Sequence, residues 1–213
     1  MLIFGLEQIL FYVIIAVIGG GAAGFFAAIH ASGPGIQVIL FEKSPKLLSK
    51  VKISGGGRCN VTHRSMEISK LIKNYPRGEK FLKKAFSHFS ISDTFAWFES
   101  RGVPLKIEDD GRVFPQSNTS QTIVTCLEEE AKMMGVQIKL SNGIKSILTK
   151  DQGYILLTDK EEVSVSKIIV ASGGHPNLGA YEYLNQLNHK LIKPIPSLFT
   201  FNNFSKIFYC FFS

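Results

Sequence analysis

Residues 12–24, YVIIAVIGGGAAG, constrain what this chain can fold into more than any other stretch. The β-branched apolar run up to Ile18 has the character of a strand buried on both faces. It passes straight into Gly19–Gly20–Gly21 and then into alanines, a pattern that predicts strand, tight turn and helix. Gly19, Gly21 and Gly24 fill a G-x-G-x-x-G frame. In that frame the first glycine turns the chain, the second admits a pyrophosphate, and the third lets helix and strand pack closely. Ala22 and Ala23 then open the helix, whose unpaired amides and positive dipole end favour an anion. A second strand, Gln37–Phe41, ends in Glu42, 18 residues after Gly24, and Lys43 follows. An acid at that strand tip is placed to accept hydrogen bonds from a ribose. The unit therefore reads as a dinucleotide-binding βαβ; the alternative is an ordinary glycine-rich turn with Glu42 solvated.

Residues 9–29 hold no Asp, Glu, Lys or Arg, and a run of that length can span ~30 Å of hydrocarbon as a helix. Three consecutive glycines in mid-run argue against it, each costing about 1 kcal/mol in a helix interior. No Lys or Arg precedes the run, as a secretory signal requires. We therefore expect no membrane partner. The three cysteines, Cys59, Cys126 and Cys210, show neither a disulfide framework nor zinc spacing, which fits a reducing cytoplasm. No metal is expected. The net charge of +7 is unevenly spread: residues 43–84 hold twelve Lys or Arg against two Asp or Glu, a net of +10. Such a block marks nucleic-acid binding, supplies potential for an anionic cofactor, or is a solvated face. Without an aromatic–basic RNA motif or a Cys/His finger, nucleic acid is not expected as a partner.

Ser54–Asn60, SGGGRCN, suits neither helix nor strand interior and predicts a loop whose backbone touches a ligand. Arg58 is a candidate to neutralise a phosphate, Asn60 to orient a ligand hydroxyl or ring edge, and Cys59 to be a small buried side chain rather than a reactive thiol. Residues 64–101 read as helical, with Phe81, Leu82, Ala85, Phe86 and Phe89 as a core stripe, a Ser90–Asp93 cap and a stop at Gly102. Asp109–Asp110–Gly111 predicts a hairpin. Asn118 with Gln121 predicts the cap of a helix running to Met134, and strands follow at 136–140, 143–148 and 153–158. The run Val163–Gly174, VSVSKIIVASGG, predicts one more buried strand delivering Ala171, Ser172 and Gly173 to a close-approach site. His175 has no evident partner. Residues 178–190 read as a short helix.

VIGGGAAG, FEK, SGGGRCN, DDGRVFP and ASGG stand in that order. Together they resemble the BaiN/RdsA-like (YhiN-like) NAD(P)/FAD-dependent oxidoreductases over about residues 13–201. The resemblance implies an α/β fold: a Rossmann-like FAD-binding domain of the glutathione-reductase type, with a parallel sheet, helices and a small β-hairpin or meander. It implies FAD as cofactor and NAD(P)H as electron donor, with a small organic molecule or oxygen as acceptor. Gly19, Gly21, Ala22, Ala23 and Gly24 would hold the pyrophosphate, and Glu42 with Lys43 would stand at the ribose. Gly56, Gly57, Arg58, Cys59 and Asn60 would lie along the flavin, backbone near Ile144 would meet the adenine, and Ala171–Gly173 would contact the cofactor at the strand exit. Family members run to about twice this length, so the chain reads as an N-terminal half. Its expected divisions are an extension at 1–12, the FAD-binding domain at 13–198 and an aberrant or truncated tail at 199–213. A nucleotide-binding module without redox activity and an inactive fragment remain alternatives.

Overall fold

The computed structural model describes residues 13–64, 66–175 and 177–193. The opening apolar run is not one helix. Strand β1 (Val13–Ile18) ends at the glycines, and helix α1 (Ala22–Ala31) begins after them. Strand β2 (Ile36–Phe41) returns parallel to β1, with Ile18 opposite Phe41. Helix α2 (Ser49–Gly57) follows, then β3 (Thr62–His63), α3 (Ile68–Leu71) and a 3-10 turn at Ile72–Asn74. Helices α4 (Glu79–His88) and α5 (Ile91–Glu99) lead to the hairpin of β4 (Leu105–Ile107) and β5 (Arg112–Pro115). Next come α6 (Ser120–Met133), β6 (Gln137–Lys139), β7 (Ser146–Lys150), β8 (Gly153–Leu157), β9 (Glu162–Val165) and β10 (Lys167–Val170). A 3-10 turn at Leu178–Tyr181 and α7 (Glu182–Asn185) close the described part.

The strands form a parallel sheet, β10-β1-β2-β6, and two antiparallel sheets, β3-β5-β4 and β7-β8-β9. Because side chains alternate along a strand, the parallel sheet feeds two cores. Ile15, Val17, Val38 and Leu40 face α1, α6 and the Trp97–Phe98 cluster. Ala16, Ile18, Ile39 and Phe41 face the β7–β9 meander through Ile147, Leu156 and Val165. Both faces are covered, as an almost wholly apolar parallel strand requires. The register also aligns the carboxyl ends of β10, β1, β2 and β6, since Ile18 pairs with both Phe41 and Val170, and Phe41 with Lys139. Ligands bind at that edge of open α/β sheets.

Four expectations need correction. The run Val163–Gly174 is two strands in different sheets, not one. Ser166 bends the chain and pins it to β1, its amide donating to Ile14 O at 2.8 Å and its Oγ accepting from Ile14 N–H at 3.1 Å. β10 is an edge strand with Val170 40% exposed, so it is not fully buried. The stripe on α4 is not core, because Phe81 is 88% exposed and α4 buries no residue; only Leu82 and Phe86 are partly covered. Thr119, not Asn118, caps α6, accepting from Gln121 N–H, while Asn118 takes the left-handed conformation (φ 55°) that closes the preceding turn. The segment at 178–190 also holds less helix than expected, a 3-10 turn plus one turn of α7. By contrast, the Ser90–Asp93 capping box, the Gly102 stop and the hairpin lie where the sequence places them. The expected extension at 1–12 and tail at 199–213 fall outside the described residues.

Candidate functional site

In the turn after β1, at the carboxyl edge of the sheet, the glycines of residues 19–24 divide into those the protein fills and one it leaves open. Gly19 turns the chain at φ 115°, and a Cβ there would stand 2.5 Å from Ala171 O. A Cβ on Gly24 would stand 1.8 Å from Gly19 O, so only glycine lets α1 lie this close to the turn. Gly20, which the motif does not single out, is also crowded, though by side chains rather than backbone, with the Leu47 side chain 2.8 Å and Glu42 Cβ 3.0 Å from its missing Cβ. Nothing lies within 4 Å of the Cβ position on Gly21. Its φ of −91° is ordinary, so no internal contact demands glycine there.

That opening belongs to a cavity of about 440 Å³. Its walls are Gly19–Gly21, Glu42–Ser44, Lys46, Leu48–Lys50, the 171–175 loop and Tyr181. The first turn of α1 has no side-chain cap, and Ala22 and Ala23 are exposed, so its amides point outward unsatisfied by the fold. Glu42 is held from two sides: Oε2 accepts from Gly20 N–H and Oε1 from Ser44 N–H, both at 2.8 Å. Each carboxylate oxygen keeps a free lone pair for a further donor. Three lysines, Lys43, Lys46 and Lys50, line the walls, and no ion pair engages them among the described residues. Lys50 Nζ lies 3.7 Å from where a Cβ on Gly173 would stand. The exit loop is tethered by tyrosines, Tyr181 Oη donating to Gly173 O at 2.9 Å and Tyr183 Oη to Ser172 Oγ at 3.1 Å. His175 lines the same cavity, and its Nδ1 accepts from Asn177 N–H at 3.1 Å, so it does have a partner.

The SGGGRCN segment does break from helix as expected. Ser54 is extended and Gly55 and Gly56 have φ of 55° and 66°. None of Gly56, Gly57, Arg58, Cys59 and Asn60 lines the cavity. Gly56 and Gly57 face open space. The Arg58 guanidinium pairs with Glu108 and stacks 4.0 Å over the Phe114 ring, which fixes the loop to the hairpin. Asn60, with its amide nitrogen turned to satisfy its neighbours, donates to Thr62 O (2.8 Å) and Val113 O (3.1 Å). Cys59 is buried at φ 62°. Burial pushes its thiol pKa up, against a smaller opposing effect from a Ser54 hydrogen bond, as suits an inert side chain. Ile144 packs beside the meander core and outside the cavity walls. The positive charge at the cavity thus comes from lysines in the stretch after Glu42: Lys43, which the sequence marks, and Lys46 and Lys50, which it does not.

A glycine-turned sheet edge, an acid at the second strand tip and a meander on one face together define a Rossmann-type domain. The family described as HI0933-like protein Rossmann domain matches residues 13–198. The chain belongs to this family. Among its relatives, the 3-dehydro-bile acid delta(4,6)-reductase of Clostridium scindens is 28% identical over 192 residues, covering 86% of this chain and 46% of that protein. The ribosomal RNA dihydrouridine synthase of Escherichia coli is 30% identical over 166 residues, covering 77% and 40%. The chain thus spans under half the length of these two relatives. The 3-ketosteroid-delta4-(5alpha)-dehydrogenase of Rhodococcus jostii RHA1 shares the fold, with a TM-score of 0.52, 16% identity, and coverage of 75% of this chain and 46% of that one. The HI0933-like family is one of flavoprotein oxidoreductases. The name of the E. coli relative removes support from the expectation that nucleic acid is no partner. Among the described residues, no helix is long and apolar enough to cross a membrane.

Proposed function

We propose that this chain binds FAD along the edge formed by residues 19–24, 42–50 and 171–173, as the FAD domain of an oxidoreductase. The observation that carries this is the contrast within the glycine turn: the protein fills the space at Gly19, Gly20 and Gly24 and leaves it empty at Gly21, beside an uncapped helix start. The amides of Gly21–Gly24 hold the pyrophosphate, helped by Lys46 or Lys50, and Glu42 accepts from the adenosine ribose while its backbone bonds keep it in place. Ala171–Gly173 gives the cofactor a flat backbone wall. The SGGGRCN loop serves by shaping the flavin side through Gly56 and Gly57, with Arg58 and Asn60 bracing it. When bound, the flavin supplies the hydride chemistry, and the protein binds and orients it. NAD(P)H is the donor we assign to the whole enzyme, and a small organic molecule or oxygen the acceptor. A second reading, in which the acceptor is an RNA base, is favoured by the basic segment 43–84 and by the E. coli relative's name.

Titration of the purified chain with FAD tests the cofactor assignment. Binding at free FAD one hundred times Kd adds about 2.7 kcal/mol to stability, a Tm rise of roughly 5–10 °C for a chain of this size. A chain that neither turns yellow nor melts higher with FAD, yet responds to NADH, is a nucleotide module instead.

A further inference from the structure

The block of positive charge is only partly used by the cavity. Beyond Lys43, Lys46 and Lys50 lies a second group: Lys70, Lys73, Arg77, Lys80, Lys83 and Lys84, every one exposed. Among the described residues none of the six has an ion pair, and Glu79 is the one acid between residues 68 and 88. Unpaired like charges repel and gain nothing for the fold. On α4, Lys80, Lys83 and Lys84 share one helical face by their spacing. Leu82 and Phe86 turn inward, with Phe86 against Tyr75 at 5.7 Å. Phe81 stands beside the cationic face, 88% exposed, in a hollow of about 380 Å³ that it forms with residues 76–80.

We propose that this α3–α4 face is a docking surface for single-stranded RNA, the cations meeting phosphates and Phe81 stacking on a base. The pairing of a positive track with an exposed ring is what single-strand binding uses. A membrane surface is the poorer fit, because the apolar side of α4 faces the protein and leaves one ring for insertion. The proposal deepens the second reading of function, and it does not depend on flavin.

The test is fluorescence anisotropy of a fluorescein-labelled, unstructured RNA oligonucleotide with the full chain across a salt series, with FAD-dependent melting measured in parallel. The triple variant Lys80→Glu/Lys83→Glu/Lys84→Glu should weaken RNA binding at least tenfold and flatten the salt slope by about two, at roughly 0.7 per phosphate contact. Phe81→Ala should weaken it about fivefold or more with the slope unchanged. Both should keep the FAD response of the unmodified chain, so a failed cofactor assignment and a failed RNA surface are told apart. Lys132→Glu, on α6, should change nothing. The proposal is overturned if the triple variant binds RNA like Lys132→Glu, or if the unmodified chain prefers phosphatidylserine vesicles to RNA.

Discussion

Two glycines three residues apart at the start of α1 give opposite forecasts for the same substitution. At Gly24 an alanine Cβ would sit 1.8 Å from Gly19 O, a backbone atom that cannot step aside. Gly24→Ala should therefore push α1 off β1 and destabilise the fold by about 3 kcal/mol or more, as overpacking does; urea unfolding measures it. At Gly21 the same methyl meets no protein atom. Gly21→Ala should leave the unfolding midpoint nearly unchanged and weaken FAD binding at least tenfold, because the methyl occupies the space left for the pyrophosphate. Equal damage to stability from both would remove the distinction on which the cofactor assignment rests. Cys59 supplies a third residue-level forecast. Its pKa is raised by burial, so at neutral pH it is a protonated thiol and should react slowly with iodoacetamide in the folded chain. The reaction should become fast on unfolding in urea, and mass spectrometry of the labelled peptide reads the difference.

At the scale of elements, the capping box of α5 is the clearest local device. Ser90 accepts from Asp93 N–H, and Asp93 accepts from Ser90 N–H at 2.7 Å. Ser90→Ala should cost about 1 kcal/mol. The side-chain and backbone hydrogen bonds from Ser90 hold the Asp93 pKa below its ordinary 3.8. The contribution of Asp93 is therefore complete above that value and is lost as pH falls through the lower folded value. Ser90→Ala should flatten this acid-side decline, which thermal melts between pH 2 and about 5 follow. Such local signals made much of the fold legible in the sequence: the glycine frame, this cap, the Gly102 stop and the Asp-Asp-Gly hairpin each act within a few residues. What sequence could not supply depended on distant partners. Arg58 looks like an unpaired cation until Glu108, fifty residues on, meets its guanidinium. Val163–Gly174 looks like one strand until Ser166 finds Ile14. The stripe on α4 has helical period, yet period alone does not say whether a partner covers Phe81. Lys46 and Lys50 of the cavity wall were hidden for the same reason, since their run differs little in composition from a solvated one, whereas Lys43 was marked by its place beside Glu42.

At the scale of the whole molecule, one sheet separates two cores, and that arrangement predicts how stability is shared. Alternate residues of β1 and β2 point to opposite faces, so packing lost on the meander side is felt by the backbone that supports the helical side. Leu156, fully buried in the meander core, is the position to truncate. Leu156→Ala should cost about 2–5 kcal/mol. The single tryptophan, Trp97, lies in the other core and reports on the far side of the sheet. If the two cores fold as one unit, Trp97 fluorescence and far-UV circular dichroism should show coincident urea transitions, shifted together to lower midpoint with unchanged slope. The same substitution should also weaken FAD binding, because Ser166 alone separates the meander from β10, and β10 carries Ala171–Gly173 to the cavity. A Trp97 transition that stays in place while the dichroism shifts would mean the meander melts alone. The cofactor wall, held by the pairing of β10 with β1, would then keep its place, and FAD binding would survive the substitution.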